Sequence, residues 1–152
     1  MKKLIFVFCF AIMGLNLSAQ NKLGIGARLS SIAGINLKYW TSNINAFDFS
    51  VSWTVDSYWY SESNYLYHWQ MQLDNSTFFP YLATGIFGGK SIGDGTEIYR
   101  ATNGWFQGLN LKTGMSFPIY RIDLSIETGL RLLTYPKTEP DYENCFIIRY
   151  WF

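Results

Sequence analysis

Hydrophobic and polar residues change places at every second position through most of this chain. Between Tyr120 and Thr134, Ile122, Leu124, Ile126, Leu130 and Leu132 share one face, while Arg121, Asp123, Ser125, Glu127, Gly129 and Arg131 share the other. A helix would scatter both sets around its circumference, so the period predicts a strand. The same alternation sets Leu23, Ile25, Ala27 and Leu29 against Gly24, Gly26 and Arg28, then Ala33, Ile35, Leu37 and Tyr39 against Gly34, Asn36 and Lys38. It sets Phe47, Phe49, Val51 and Trp53 against Asp48, Ser50 and Ser52, and Tyr65, Tyr67, Trp69 and Met71 against Leu66, His68, Gln70 and Gln72. From Phe79 to Gly88 the pattern blurs, with Tyr81, Ala83 and Phe87 opposite Leu82 and Ile86. It then recovers in Leu109, Leu111, Met115 and Phe117 against Gly108, Asn110, Lys112, Gly114 and Ser116. The carboxyl end, where Phe146, Ile148, Tyr150 and Phe152 alternate with Ile147, Arg149 and Trp151, makes eight strands.

The spacing between strands adds an architecture. Links after the second, fourth and sixth strands are short (Thr41 to Asn45, Asp74 to Thr77, Pro118 with Ile119), while those after the third, fifth and seventh are longer: Val55 to Ser63, Gly89 to Gly104 and Tyr135 to Glu143. Only the first outward link, near Ser30 to Ile32, is tight. Short turns at one end and long loops at the other are the habit of membrane barrels, and Tyr39, Trp40, Trp53, Tyr65, Trp105, Tyr120, Tyr150 and Phe152 fall near strand ends, where interfacial aromatic girdles belong. The expected fold is all-β, an eight-stranded antiparallel up-and-down transmembrane β-barrel.

The amino terminus places such a barrel outside the cytoplasm. Lys2 and Lys3 precede an apolar run from Leu4 to Leu15 and then Asn16-Leu17-Ser18-Ala19-Gln20, the order of a secretory signal. Cleavage after Ala19 leaves residues 20–152 as one barrel domain, and the apolar run falls short of the ~20 residues a membrane-spanning helix needs. Cys145 is then the one remaining cysteine, so no internal disulfide forms. Without Lys2 and Lys3 the formal charge is 10 − 11 = −1, which offers nothing to nucleic acid.

With these features the chain resembles the small eight-stranded outer-membrane barrels of the OmpA and OmpX type, along essentially all of the mature sequence. The resemblance implies a bacterial outer-membrane location, contact with outer-membrane lipids, and a closing Tyr150-Trp151-Phe152 that is similar to the terminal signal, Tyr150 and Phe152 above all, read by the barrel-assembly machinery. Unlike OmpA, the sequence carries no periplasmic peptidoglycan-binding domain, so cell-wall anchoring is not implied.

Inward faces of such a barrel carry Arg28, Lys38, Lys112, Arg121, Arg131 and Arg149 against Asp48, Asp123 and Glu127, a balance of 6 − 3 = +3. An interior of eight strands is just wide enough for side chains to fill, which predicts an interlocked charged plug. The alternative is a narrow porin-like channel with mild anion preference. Outward loops carry Asp56, Glu62, Asp94, Glu97, Glu139, Asp141 and Glu143 against Lys90, Arg100 and Lys137, or 3 − 7 = −4. With the aromatic run Ser57-Tyr58-Trp59-Tyr60 they suit an extracellular partner, and so an adhesion-like role.

Two further readings are open. Some barrels modify lipid A by acyl transfer or hydrolysis, and His68 lies on the strand after Asp48, Ser50 and Ser52, which a hairpin bent near Tyr58 to Tyr60 would bring across from it. A soluble lipocalin-like carrier also has eight antiparallel strands, with its apolar face turned inward around a ligand. Mid-strand glycines and charges of both signs on the polar faces favour lipid outside. No clustered His or Cys suggests a metal, and no cofactor motif is complete: Gly89-Lys90-Ser91 has Thr84 where a phosphate loop needs its first glycine.

Overall fold

The computed structural model describes residues 22–54, 58–73, 76–91 and 104–152. The expected signal segment and the acidic positions Asp56, Asp94 and Glu97 lie outside these. Among the described residues nine strands form one antiparallel sheet: β1 (Leu23–Leu29), β2 (Gly34–Trp40), β3 (Asn45–Thr54), β4 (Tyr58–His68), β5 (Met71–Leu73), β6 (Ser76–Ser91), β7 (Gly104–Ile119), β8 (Ile122–Tyr135) and β9 (Glu139–Trp151). Strands adjacent in sequence pair with one another except β4 and β5, both of which pair with β6; β1 also pairs with β9, and the β4–β6 pairing from Tyr58↔Ser91 to His68↔Tyr81 closes the cylinder.

The barrel has eight staves, because β4 and β5 are one stave broken at Trp69 and Gln70. The cause is Pro80. Trp69 N donates to Pro80 O at 3.0 Å, but proline has no N–H to return, so the ladder is halved there. Taken together around the wall, the pair registers offset β1 against itself by about ten residues, a stagger that tilts eight strands by roughly 40°.

Connection lengths differ from the expectation. The links from β3 to β4 (55–57) and from β8 to β9 (136–138) are short, and only that from β6 to β7 (92–103) is long. The stretches taken for loops around Glu62 and Glu143 continue the period-two ladder, with Trp59 outside and Tyr60 and Glu62 inside. The last tight turn is Tyr120-Arg121 rather than Pro118-Ile119. Tyr120 adopts φ 58° there, supplying the positive φ that lets a two-residue turn follow the strand twist.

The two faces are inverted relative to a soluble domain. Ile35, Leu37, Phe49, Leu82, Ile86, Leu109, Leu111, Ile126 and Ile148 are exposed, whereas Arg28, Asn36, Lys38, Asp48, Glu62, Lys112, Asp123, Glu127, Arg131, Glu143 and Arg149 are buried. An apolar chamber around a ligand, as in a lipocalin, is the reverse of this arrangement. In the ambiguous strand, Tyr81, Ala83 and Phe87 point inward and Leu82 and Ile86 outward.

Candidate functional site

The barrel interior is layered along its axis, and its side chains come from all eight staves. At the loop end, Tyr60, Phe87, Phe106 and Leu133 form an apolar cap against which Ile32 of the β1–β2 turn packs. At the turn end, Ala46, Leu66, Tyr81 and Ala83 form a second cap with Trp40. Charged side chains fill the space between.

Glu62 is the hub of the upper charged layer. Lys112 Nζ donates to its two carboxylate oxygens at 2.7 and 2.8 Å, Asn64 donates at 3.3 Å, and the Tyr60 hydroxyl also donates to it. Arg28 Nη2 lies 3.3 Å from Glu62 and 2.6 Å from Glu143, while Lys112 and Arg131 reach Glu143 at 3.2 and 3.4 Å. Arg131 continues to Asp141, and its guanidinium lies over the Tyr60 ring at 5.5 Å, tying this layer to the cap. Gly129 makes the crowding possible: a Cβ there would come within 2.5 Å of Lys112 Cγ.

Arg149 is the hub of the lower layer. It donates to Asp48 at 2.8 Å, Asp123 at 3.1 Å and Ser125 at 2.8 Å, and also to Asn36. Asn36 Nδ2 in turn donates to Asp48 and Ser50 at 2.7 and 2.8 Å. Lys38 Nζ sits 3.8 Å from Asp123 and 4.7 Å from the centre of the Trp40 ring. Tyr81 donates to Glu127 at 2.7 Å, and Glu127 lies 3.8 Å from Lys112, which joins the two layers.

Every residue expected in the lumen is therefore inside and paired except Arg121. It occupies the β7–β8 turn, exposed, and donates to the Tyr150 hydroxyl at 3.1 Å. Glu62 and Glu143, assigned to acidic loops from the sequence, are inside instead. The buried charges among the described residues are Arg28, Lys38, Lys112, Arg131 and Arg149 against Asp48, Glu62, Asp123, Glu127 and Glu143, so 5 − 5 = 0 replaces the expected +3. The excess was itself a signal, since a sealed interior does not hold three uncompensated cations.

The His68, Ser50 and Asp48 candidates do not converge. Ser50 pairs with Glu62 and Asp48 with Asn64, so His68 stands six positions beyond Ser50's partner along β4. At ~3.3 Å per residue that separates them by about 20 Å. Asp48 is taken up by Arg149 and Asn36, and Ser50 by Asn36. His68 is fully buried between Trp40 and Tyr81, at ring distances of 4.3 and 4.9 Å, and neither ring nitrogen has a hydrogen-bond partner. Among the described residues no group of three or more His, Cys, Asp or Glu is placed to hold a metal ion.

Outside, the apolar band lies between two aromatic rings. Trp53, Trp59, Trp105, Tyr135 and Tyr142 ring the loop end, and Tyr39, Phe47, Tyr65, Tyr67, Trp69, Tyr120, Tyr150 and Phe152 ring the turn end. Tyr150 and Phe152 make an edge-to-face contact at 5.2 Å. Twelve residues separate Trp105 from Phe117 on β7, a height of about 30 Å at the strand rise and tilt given above. Outward hydroxyls within the band turn back onto the wall. Thr84 donates to Asn110 O at 3.3 Å, Thr113 to Tyr81 O at 3.2 Å, and Thr128 to Asn144 Oδ1 at 2.8 Å. Comparison with protein-family models and with curated proteins finds no match to the sequence.

Proposed function

We propose that this chain is an integral outer-membrane barrel with a structural or surface-interaction role, exported by a cleaved signal and folded into the membrane by the barrel-assembly machinery. One observation carries the reading: a wide apolar band between two aromatic rings surrounds a charge-neutral, hydrogen-bonded interior. In water that band would be a large aggregation-prone surface. In lipid it is the stable outer face, and the back-bonded hydroxyls meet the requirement that polar groups be satisfied within the protein. The height of the band also suits a bilayer, whose barrels carry an apolar belt of about 25 Å flanked by girdles.

The plugged interior favours this role over conduction, because apolar caps and ion pairs occupy the axis from end to end. An adhesion-like role rests on the loop end, where Tyr142 on β9 is 79% exposed and Lys137 and Glu139 form an exposed pair. Fractionation of expressing cells, with gel migration before and after boiling, tests the proposal. The expected result is an outer-membrane protein whose unboiled form migrates faster. Recovery as a monodisperse species in detergent-free buffer would overturn it.

A further inference from the structure

One cation on the outer wall, Lys90, sits between two tryptophans near the loop end. Arg121 is held by Tyr150 and Lys137 by Glu139, but Lys90 forms no ion pair with any described residue. Its strand register explains its surroundings: Trp59, Lys90 and Trp105 are cross-strand partners on β4, β6 and β7, and Trp53 pairs with Trp59 on β3. The ammonium lies 5.9 Å from the Trp105 ring, and Trp59 and Trp105 meet edge to face at 5.6 Å.

Two positions toward the middle of the barrel, the aligned residues are Ser61, Gly88 and Gln107. Gly88 contributes no side chain, so the wall is hollowed there into a groove of about 390 Å³ that runs from Trp59 and Trp105 down to Ile86 and Phe49. Ser61 donates to Gly88 O at 3.3 Å, which leaves its lone pairs facing out. Gln107 is exposed at the groove with no side-chain hydrogen bond among the described residues. A lysine above and an amide at the hydrocarbon margin, neither paired among the described residues, and an apolar floor below make the complement of an amphiphile with an anionic head, polar ester groups and an acyl tail.

We propose that this groove holds one lipid of the surrounding bilayer that carries a net-negative phosphate headgroup, with the phosphate at Lys90, the ester region at Gln107 and Ser61, and one chain along Ile86 and Phe49. The site rests on the membrane reading above and adds to it a lipid preference at one face of the barrel.

The test is native mass spectrometry of the purified full chain after reconstitution with phosphatidylglycerol or phosphatidylcholine, and separately with soluble glycerol phosphate. One phosphatidylglycerol should be retained, at about fivefold higher occupancy than phosphatidylcholine, the ratio expected for one lysine at an anionic lipid surface. Lys90→Gln and the groove-filling Gly88→Leu should each abolish the preference, and Arg121→Gln at the opposite rim should leave it intact. Equal retention of the two lipids, an unchanged Lys90→Gln variant, or saturable binding of glycerol phosphate alone would overturn the site. Quenching of tryptophan fluorescence by brominated lipid separates the two readings: insertion without selective retention defeats the lipid site only, and failure to insert defeats both.

Discussion

Replacing Glu62 by glutamine removes one charge from the centre of the upper layer while keeping the shape of the side chain. The carboxylate accepts from Lys112, Tyr60 and Asn64 and forms an ion pair with Arg28, whereas a glutamine amide offers one acceptor and turns two donors toward neighbours that are also donors. The buried balance becomes 5 − 4 = +1. Removing one partner of a buried ion pair costs about 3–5 kcal/mol, because the remaining charge loses its compensation out of water. Glu143 still holds Arg28 at 2.6 Å and Lys112 at 3.2 Å, which places Glu62→Gln at the lower end, about 3 kcal/mol. With a urea slope of about 2 kcal/mol per molar, the unfolding midpoint of the lipid-reconstituted barrel, followed by tryptophan fluorescence, should fall by roughly 1.5 M. The double variant Glu62→Gln/Lys112→Met restores neutrality and should recover more than half of the loss. Glu139→Gln, which breaks an exposed pair, should change stability by under about 1 kcal/mol. If Glu62→Gln is no worse than Glu139→Gln, the hub assignment fails.

Other consequences can be measured on the same preparation. His68→Phe replaces two unpartnered buried nitrogens with carbon at nearly constant shape, so stability should hold or rise by about 1 kcal/mol, and the lipid A mass of expressing cells should not change. A fall of more than about 2 kcal/mol would mean that the imidazole is bonded. Tyr120→Gly relieves a positive φ and should stabilise the β7–β8 turn by about 1 kcal/mol; an unchanged urea midpoint would show that Tyr120 pays no conformational cost. Planar bilayers containing the purified barrel should stay electrically silent, and steady single-channel steps would show that the caps around Tyr60 and Leu66 open.

The strands and their facings were legible in the sequence wherever lumen and exterior differ in polarity. Arg28, Lys38, Asp48, Asp123, Arg131 and Arg149 alternate with bulky apolar residues, and a period of two admits only one assignment of faces. Legibility failed where both faces are alike. Tyr81, Ala83 and Phe87 are as apolar as Leu82 and Ile86 because β6 contributes to both caps as well as to the outer band. It failed also where charge suggested solvent: Glu62 and Glu143 lie near chain reversals, and a local pattern cannot distinguish a loop carboxylate from one that faces Lys112 across the barrel.

The sequence by itself determined that strands would alternate, how many staves would form and which face most charged residues would take, since each follows from spacing along the chain. Which carboxylate meets which cation was decided only by closure, because shear brings β1, β4, β7 and β9 together around one axis at sequence separations such as Arg28 to Glu143. The same stagger separated His68 from Ser50 and aligned Lys90 between Trp59 and Trp105. Cross-strand register is a property of the closed wall, and no single strand contains it.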